Sequence, residues 1–142
     1  MSTEPVTPAR PAEPDLATPE DAVRSYLDWT SFGYAMANSE IATMTMTPDE
    51  EVRVNSYVQL NKERNRTIDQ KLTAFEWRGK PSGEHTVTLG AIEQWRYRYV
   101  SIDKREPGPY ATASYVTTYT VVKTDGDWLV DSVEASATTA VK

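Results

Sequence analysis

The sequence has no cysteine and only one histidine, His85. The first absence excludes disulfides, thiol nucleophiles and thiolate metal sites. The second excludes a multi-histidine metal site within one chain, and neither a metal nor a cofactor is expected. Basic charge is also short. Fifteen Lys and Arg stand against 21 Asp and Glu, a formal charge of −6, which disfavours a nucleic-acid binder that must offer phosphates a basic surface. No apolar run approaches membrane-spanning length, and the N-terminus lacks a basic segment followed by an apolar one. If the natural protein is exported or anchored, that information is expected upstream of Met1. Gly-rich phosphate loops and nucleophile elbows are missing too, and Ser-His-Asp chemistry would rest on the chance placement of His85.

What is present suits one domain with a hydrophobic core: 142 residues, 39% of them hydrophobic and 25% charged. Residues 1–17 read as a disordered linker, because Pro5, Pro8, Pro11 and Pro14 recur every third residue with few large apolar side chains. A spacer implies something to be spaced from, such as a membrane anchor or a neighbouring domain. The folded domain is expected over residues 18–138, with 139–142 as a tail.

Thr18-Pro19-Glu20-Asp21 is a helix start. Threonine caps, proline suits the first helical position, and the acids favour the positive end of the dipole. Val23, Tyr26, Leu27, Trp29, Phe32, Tyr34 and Met36 follow, mostly at three- and four-residue spacing, so this helix should be largely buried. Thr47-Pro48-Asp49-Glu50-Glu51 repeats the signal and opens a helix predicted to reach about Asp69. The period then becomes two. Strands are expected at 71–78, at 85–99 with a bend or bulge at Gly90, at 110–123 and, after an Asp125-Gly126 turn, at 128–134. The result is an α+β layout with helices on one face of a bent antiparallel sheet.

Alternation sorts the side chains into faces. Glu93, Trp95, Tyr97 and Tyr99 share one face of the long strand, and Gln94, Arg96, Arg98 and Val100 the other. On the next strand Tyr115, Tyr119 and Val121 fall together. In the first strand Leu72, Ala74 and Glu76 alternate against Thr73, Phe75 and Trp77. Packing against the helices explains the aromatic group; residues towards the open end could instead line a cleft. The arginine stripe could meet an acidic peptide or a lipid head group, with solvation and cross-strand pairing to acids as the plainer reading. Asp28, Glu76 and Glu93 are the carboxylates that fall among apolar neighbours, where burial could make a general base. Arginines flank Glu76 and Glu93 as ready ion-pair partners, and His85 sits where exposure is usual.

The order of elements, closing on Gly126-Asp127-Trp128-Leu129-Val130-Asp131-Ser132-Val133, resembles the NTF2-like (cystatin-like α+β cone) superfamily over roughly residues 18–137. The resemblance implies two to three N-terminal helices packed on a curved antiparallel sheet of about four strands. It also implies two kinds of relative. Enzymatic members place Asp, His or Tyr inside the cone, and no acid here maps onto their bases. Non-catalytic members include tethered extracytoplasmic domains, as in the Mce-associated proteins and the intermembrane-space-type domains of ARC6-like proteins. The proline-rich lead-in and the Trp128-Leu129-Val130-Asp131 ending are more similar to these.

The expectation is a non-enzymatic binding or interaction module, extracytoplasmic and membrane-tethered in the full protein. It would engage a protein or peptide partner, or a small apolar ligand, through a pocket of Trp29, Tyr34, Trp95, Tyr97, Tyr99, Tyr115 and Tyr119. The alternative is a small isomerase, cyclase or dehydratase using Asp28 or Glu93 with Tyr34 or Tyr97. A third reading is a homodimer through the outer sheet face at Val116, Thr118 and Thr120.

Overall fold

The structure is a computed structural model that describes residues 8–138. Helix α1 spans Pro19–Met36, a 3-10 helix spans Ser39–Thr45, and α2 spans Pro48–Glu63. Strands β1 (Arg66–Ser82), β2 (Thr86–Ser101), β3 (Ala111–Thr124) and β4 (Asp127–Ala137) form one antiparallel sheet in the order β1-β2-β3-β4.

Both helix starts are capped as their residues dictate. Thr18 Oγ1 accepts from the Asp21 N–H at 3.1 Å and Thr47 Oγ1 from the Glu50 N–H at 3.4 Å. The second cap is also tied to the sheet: Thr47 Oγ1 donates to Asp131 at 2.8 Å, and its N–H to the Val130 carbonyl at 3.0 Å. Helix α1 ends where Ala37 adopts a left-handed φ of 54° and the Asn38 N–H returns to the Gly33 carbonyl. A Cβ on Gly33 would sit 3.0 Å from the Asn38 carbonyl oxygen, so glycine lets the chain fold back tightly there. Met36, expected in the packed stripe, is half-exposed.

Three expectations are corrected. Helix α2 stops at Glu63 rather than near Asp69, because Asn65 turns at φ 56° and the chain enters β1 at Arg66. Strand β1 is accordingly twice as long as the predicted 71–78, running through most of the predicted 79–83 loop, with Gly83 to His85 making the turn. The irregularity expected at Gly90 lies on its neighbour. The register slips between Arg78 and Ser82, while Gly90 stays paired with Arg78 and Thr118, where an added Cβ would come within 3.2 Å of the Arg78 carbonyl oxygen.

A second slip, between Leu72 and Ala74, reverses the face assignment in β1. Leu72 pairs with Trp95 and Phe75 with Glu93, so Leu72, Phe75 and Trp77 all face the helices, whereas strict alternation had set Leu72 against the other two. One extra residue flips every later side chain, and Glu76 moves to the exposed outer face.

The core joins Val23, Tyr26 and Leu27 of α1 and Val54 of α2 to Val87, Leu89 and Ala91 of β2, Tyr119 and Val121 of β3, and Trp128 and Val130 of β4. The described part of the proline-rich segment lies against this body. Ala12 accepts from the Trp29 indole N–H at 3.0 Å, Asp15 N–H donates to Ser25 Oγ at 2.8 Å, and the Leu16 carbonyl accepts from the Trp128 N–H at 2.9 Å. The start of the expected linker and the whole of the expected tail lie outside the described residues.

Candidate functional site

Alternation along β2 and β3 carries Glu93, Trp95, Tyr97 and Tyr99, with Tyr115, Thr117 and Tyr119, onto the concave face of the sheet. Opposite them α1 contributes Tyr26, Thr30 and Tyr34, and α2 contributes Arg53 and Tyr57. These groups line an open cavity of about 340 Å³. Ala113 pairs with Trp95, so a small side chain faces the largest one across the strands. Tyr97 and Tyr99 meet edge to face at 5.9 Å, as do Tyr34 and Tyr57 at 5.4 Å, and the tyrosines nearest the opening are half-buried.

Glu93 lies in the floor and is 3% exposed. The Trp95 indole N–H donates to its Oε1 at 2.8 Å and the Tyr119 hydroxyl donates to its Oε2. Both donors are neutral. The flanking arginines expected to pair with Glu93 lie on the opposite face of β2: Arg98 donates to Asp69 at 2.7 Å, and Arg96 and Arg98 stack over Tyr110 at 4.3 and 4.5 Å. That outer stripe is thus occupied by an acid and an aromatic ring of the same chain. Burial first, then the neighbouring Glu93, pushes the Tyr119 phenol far above its ordinary range. Thr117 Oγ1 is buried close to this hydroxyl, but no hydrogen bond of acceptable geometry reaches it.

A second buried carboxylate escaped the sequence reading. Glu50 was assigned to the first turn of α2 as a dipole-favouring acid, yet it is 2% exposed. The Tyr26 hydroxyl donates to it at 2.5 Å, and Arg53 Nε to its two oxygens at 3.0 and 3.1 Å, with Arg53 Nη2 closing the pair. Arg53 also donates to the Tyr26 oxygen at 2.9 Å. The Glu50–Arg53 spacing of three residues was the available signal, since it puts both on one helix face. Burial raises the Tyr26 phenol strongly, assisted by Tyr34 and Glu50, and raises Tyr34 to about 12. The Tyr26 and Tyr119 rings stack edge to face at 6.4 Å, joining the two carboxylate–tyrosine pairs.

Of the residues expected to form a pocket, Tyr34, Trp95, Tyr97, Tyr99, Tyr115 and Tyr119 line this cavity. Trp29 does not; its ring packs against Phe32 at 5.9 Å and beneath Arg10 at 5.1 Å, on the side of α1 covered by the lead-in. Asp28 also lies elsewhere. It is an exposed residue in a separate cleft of about 590 Å³ with Arg10, Arg24, Lys71 and Arg96, and partial desolvation raises its carboxyl against the pull of Arg24. It is therefore not brought together with Tyr34 or Tyr97. His85 is exposed in the turn before β2. Among the described residues no cluster of three or more His, Asp or Glu could hold a metal ion.

No protein-family model matches the sequence, and no curated protein matches it significantly. Solved structures do match its shape. The intermembrane-space region of the chloroplast protein ARC6 superposes with a TM-score of 0.73 at 13% identity, covering 90% of this chain and 100% of that one. A putative calcium/calmodulin-dependent protein kinase II association domain from Xanthomonas campestris gives 0.56 at 13% identity over 95% and 100%. A periplasmic fragment of TraM gives 0.56 at 9% identity over 84% and 98%. Identities this low speak for the fold alone. Helices packed on one face of a four-stranded antiparallel sheet give this chain the α+β architecture expected of an NTF2-like cone.

Proposed function

We propose that the chain is a non-catalytic binding module of the extracytoplasmic kind, with the mouth of the cone as its binding surface. The observation that carries this reading is the state of Glu93. Among the described residues it is the one carboxylate lining the cavity, and Trp95 and Tyr119 engage both of its oxygens. A general base must come within hydrogen-bond reach of the proton it takes, and Glu93 lies in the floor, 3% exposed, held by side chains of its own chain. The cavity nonetheless keeps open volume and a wall of half-buried tyrosines, which is the make-up of a small-molecule site. Two of the structures that share the fold are, by their titles, an intermembrane-space region and a periplasmic fragment, which supports the compartment. No helix among the described residues is long and apolar enough to cross a membrane, so tethering would depend on other sequence.

A panel of small apolar compounds and short peptides, titrated while backbone amide shifts are followed, tests the proposal. Shifts clustering at Tyr97, Tyr99 and Tyr115 are the expected result. Turnover of any bound compound that disappears in Glu93→Gln would replace the binding reading with the enzymatic one.

A further inference from the structure

We infer that the cone mouth receives a small organic cation, an ammonium group on an apolar body, with Glu93 as counter-charge and the Tyr97 and Tyr115 rings as walls. The inference rests on the binding reading above and adds the chemistry of the ligand.

The charge inventory of the cavity leads there. Among the described residues its lining holds two charged side chains, Arg53 and Glu93. Arg53 is committed to Glu50 through both Nε and Nη2. Glu93 has neutral donors, and both its oxygens accept, as in a carboxylate anion. A buried anion in a medium of low dielectric is stabilised far more by a nearby cation than a surface one is, and no described side chain lining the cavity is paired with Glu93 as such a cation. An anionic ligand meets the opposite situation. It would face Glu93 and find the only lining cation already neutralised.

The walls suit the same ligand. A ring quadrupole attracts a cation placed over its face. The protein already uses this beside the cavity: the Arg66 guanidinium, which donates to Asn61 at 2.7 Å, lies 3.8 Å from the centroid of Tyr99. With Tyr99 taken and Tyr34 and Tyr57 set edge to face with one another, Tyr97 and Tyr115 are the rings of the sheet wall left to a ligand, and Tyr115 is paired directly with Glu93 across β2 and β3. The volume of about 340 Å³ lies at the small end of known ligand sites and suits a small occupant. The formal charge of −6 would favour the approach of a cation.

The experiment compares three probes of one shape on the full chain by calorimetric titration: benzyltrimethylammonium, benzyl alcohol and benzoate. The ammonium is expected to bind about tenfold or more tightly than the alcohol, with benzoate weakest. In Glu93→Gln that advantage should collapse to near parity, while the alcohol binds as before. Tyr115→Leu should weaken the ammonium more than the alcohol, which keeps the test available if the Glu93 variant fails to fold. A blocked tripeptide with a central lysine separates the sources: competition by it assigns the ammonium to a partner's side chain, and its silence to a free amine. Benzoate binding as tightly as the ammonium, or an ammonium advantage untouched by Glu93→Gln, overturns the inference. Equal binding of alcohol and ammonium at the mouth also overturns it but leaves the binding module standing. Silence of all three overturns the cation, and silence of the wider panel overturns the module as well.

Discussion

Glu50 and Glu93 are built from the same parts and finished differently. Each is a buried glutamate that accepts a tyrosine hydroxyl, and the two tyrosines, Tyr26 and Tyr119, touch edge to face. Glu50 sits on a helix with Arg53 one turn away and is neutralised within its own element. Glu93 sits on a strand, where its sequence neighbours on either side point to the other face of the sheet. The arginines closest in sequence therefore cannot reach it, and Trp95, two residues on, can. Period 3.6 delivers a local counter-ion and period 2 withholds one. The difference separates a structural fastening between α1 and α2 from a group left available to the cavity.

Matched substitutions sharpen that contrast most. Glu50→Gln removes the charge from an ion pair and leaves Arg53 partly desolvated. A fully buried pair would lose about 3–5 kcal/mol, but Arg53 is half-exposed and can turn to water, so about 2 kcal/mol is expected. Urea unfolding followed by tryptophan fluorescence measures it as a lowered midpoint at constant slope. A loss under about 0.5 kcal/mol would show that the ion pair is dispensable and that the two carboxylates do not differ in kind.

Alkali attacks both pairs through their tyrosines. Burial raises Tyr26, Tyr119 and Tyr34, the last to about 12, from an ordinary value of 10.0. The unfolded chain gives up these protons more easily, so their contribution to stability is complete below about pH 10 and drains away as pH rises through about 12. Absorbance at 295 nm should therefore fall short of eight tyrosinates while the far-ultraviolet circular dichroism is native, then complete its rise on unfolding. All eight titrating together near pH 10 in a folded protein would break the case for buried hydroxyls at either carboxylate.

Glu93→Gln should cost less than its counterpart, about 1 kcal/mol or under. The amide keeps an acceptor for one of the two donors, and removal of a buried charge with no cation offsets part of the loss. If this variant proves the more destabilising, Glu93 is the fastening and the assignment of roles reverses.

The parts legible in the sequence were those decided locally. Thr18-Pro19 and Thr47-Pro48 announced their helices because a cap involves residues three apart. The inward set of β2 followed from strict alternation. What was hidden depended on partners far along the chain. Glu50 looked like any first-turn acid because its burial depends on Tyr26, 24 residues earlier. Alternation set Leu72 on the face opposite Phe75 and Trp77 because a bulge at Thr73 exists only in the pairing of β1 with β2. Nothing local in Pro11, Ala12 or Asp15 announced that the lead-in rests on α1, since its bonds go to Trp29 and Ser25.

The smallest effect expected is at the rim. Tyr97 is half-buried, and its ring meets the edge of Tyr99, a neighbour two residues away on the same strand. Tyr97→Leu keeps an apolar side chain on a strand position and opens no sealed void, so the unfolding midpoint should move by less than about 0.5 kcal/mol. A residue that the fold scarcely needs, placed among aromatic side chains around an unneutralised carboxylate, is conspicuous for that reason. Large destabilisation in Tyr97→Leu would make the tyrosine wall an extension of the core, with the cavity closed by packing. A silent midpoint with weakened binding of the benzylic probes would make the wall what Glu93 suggests it is: a surface kept open for a ligand.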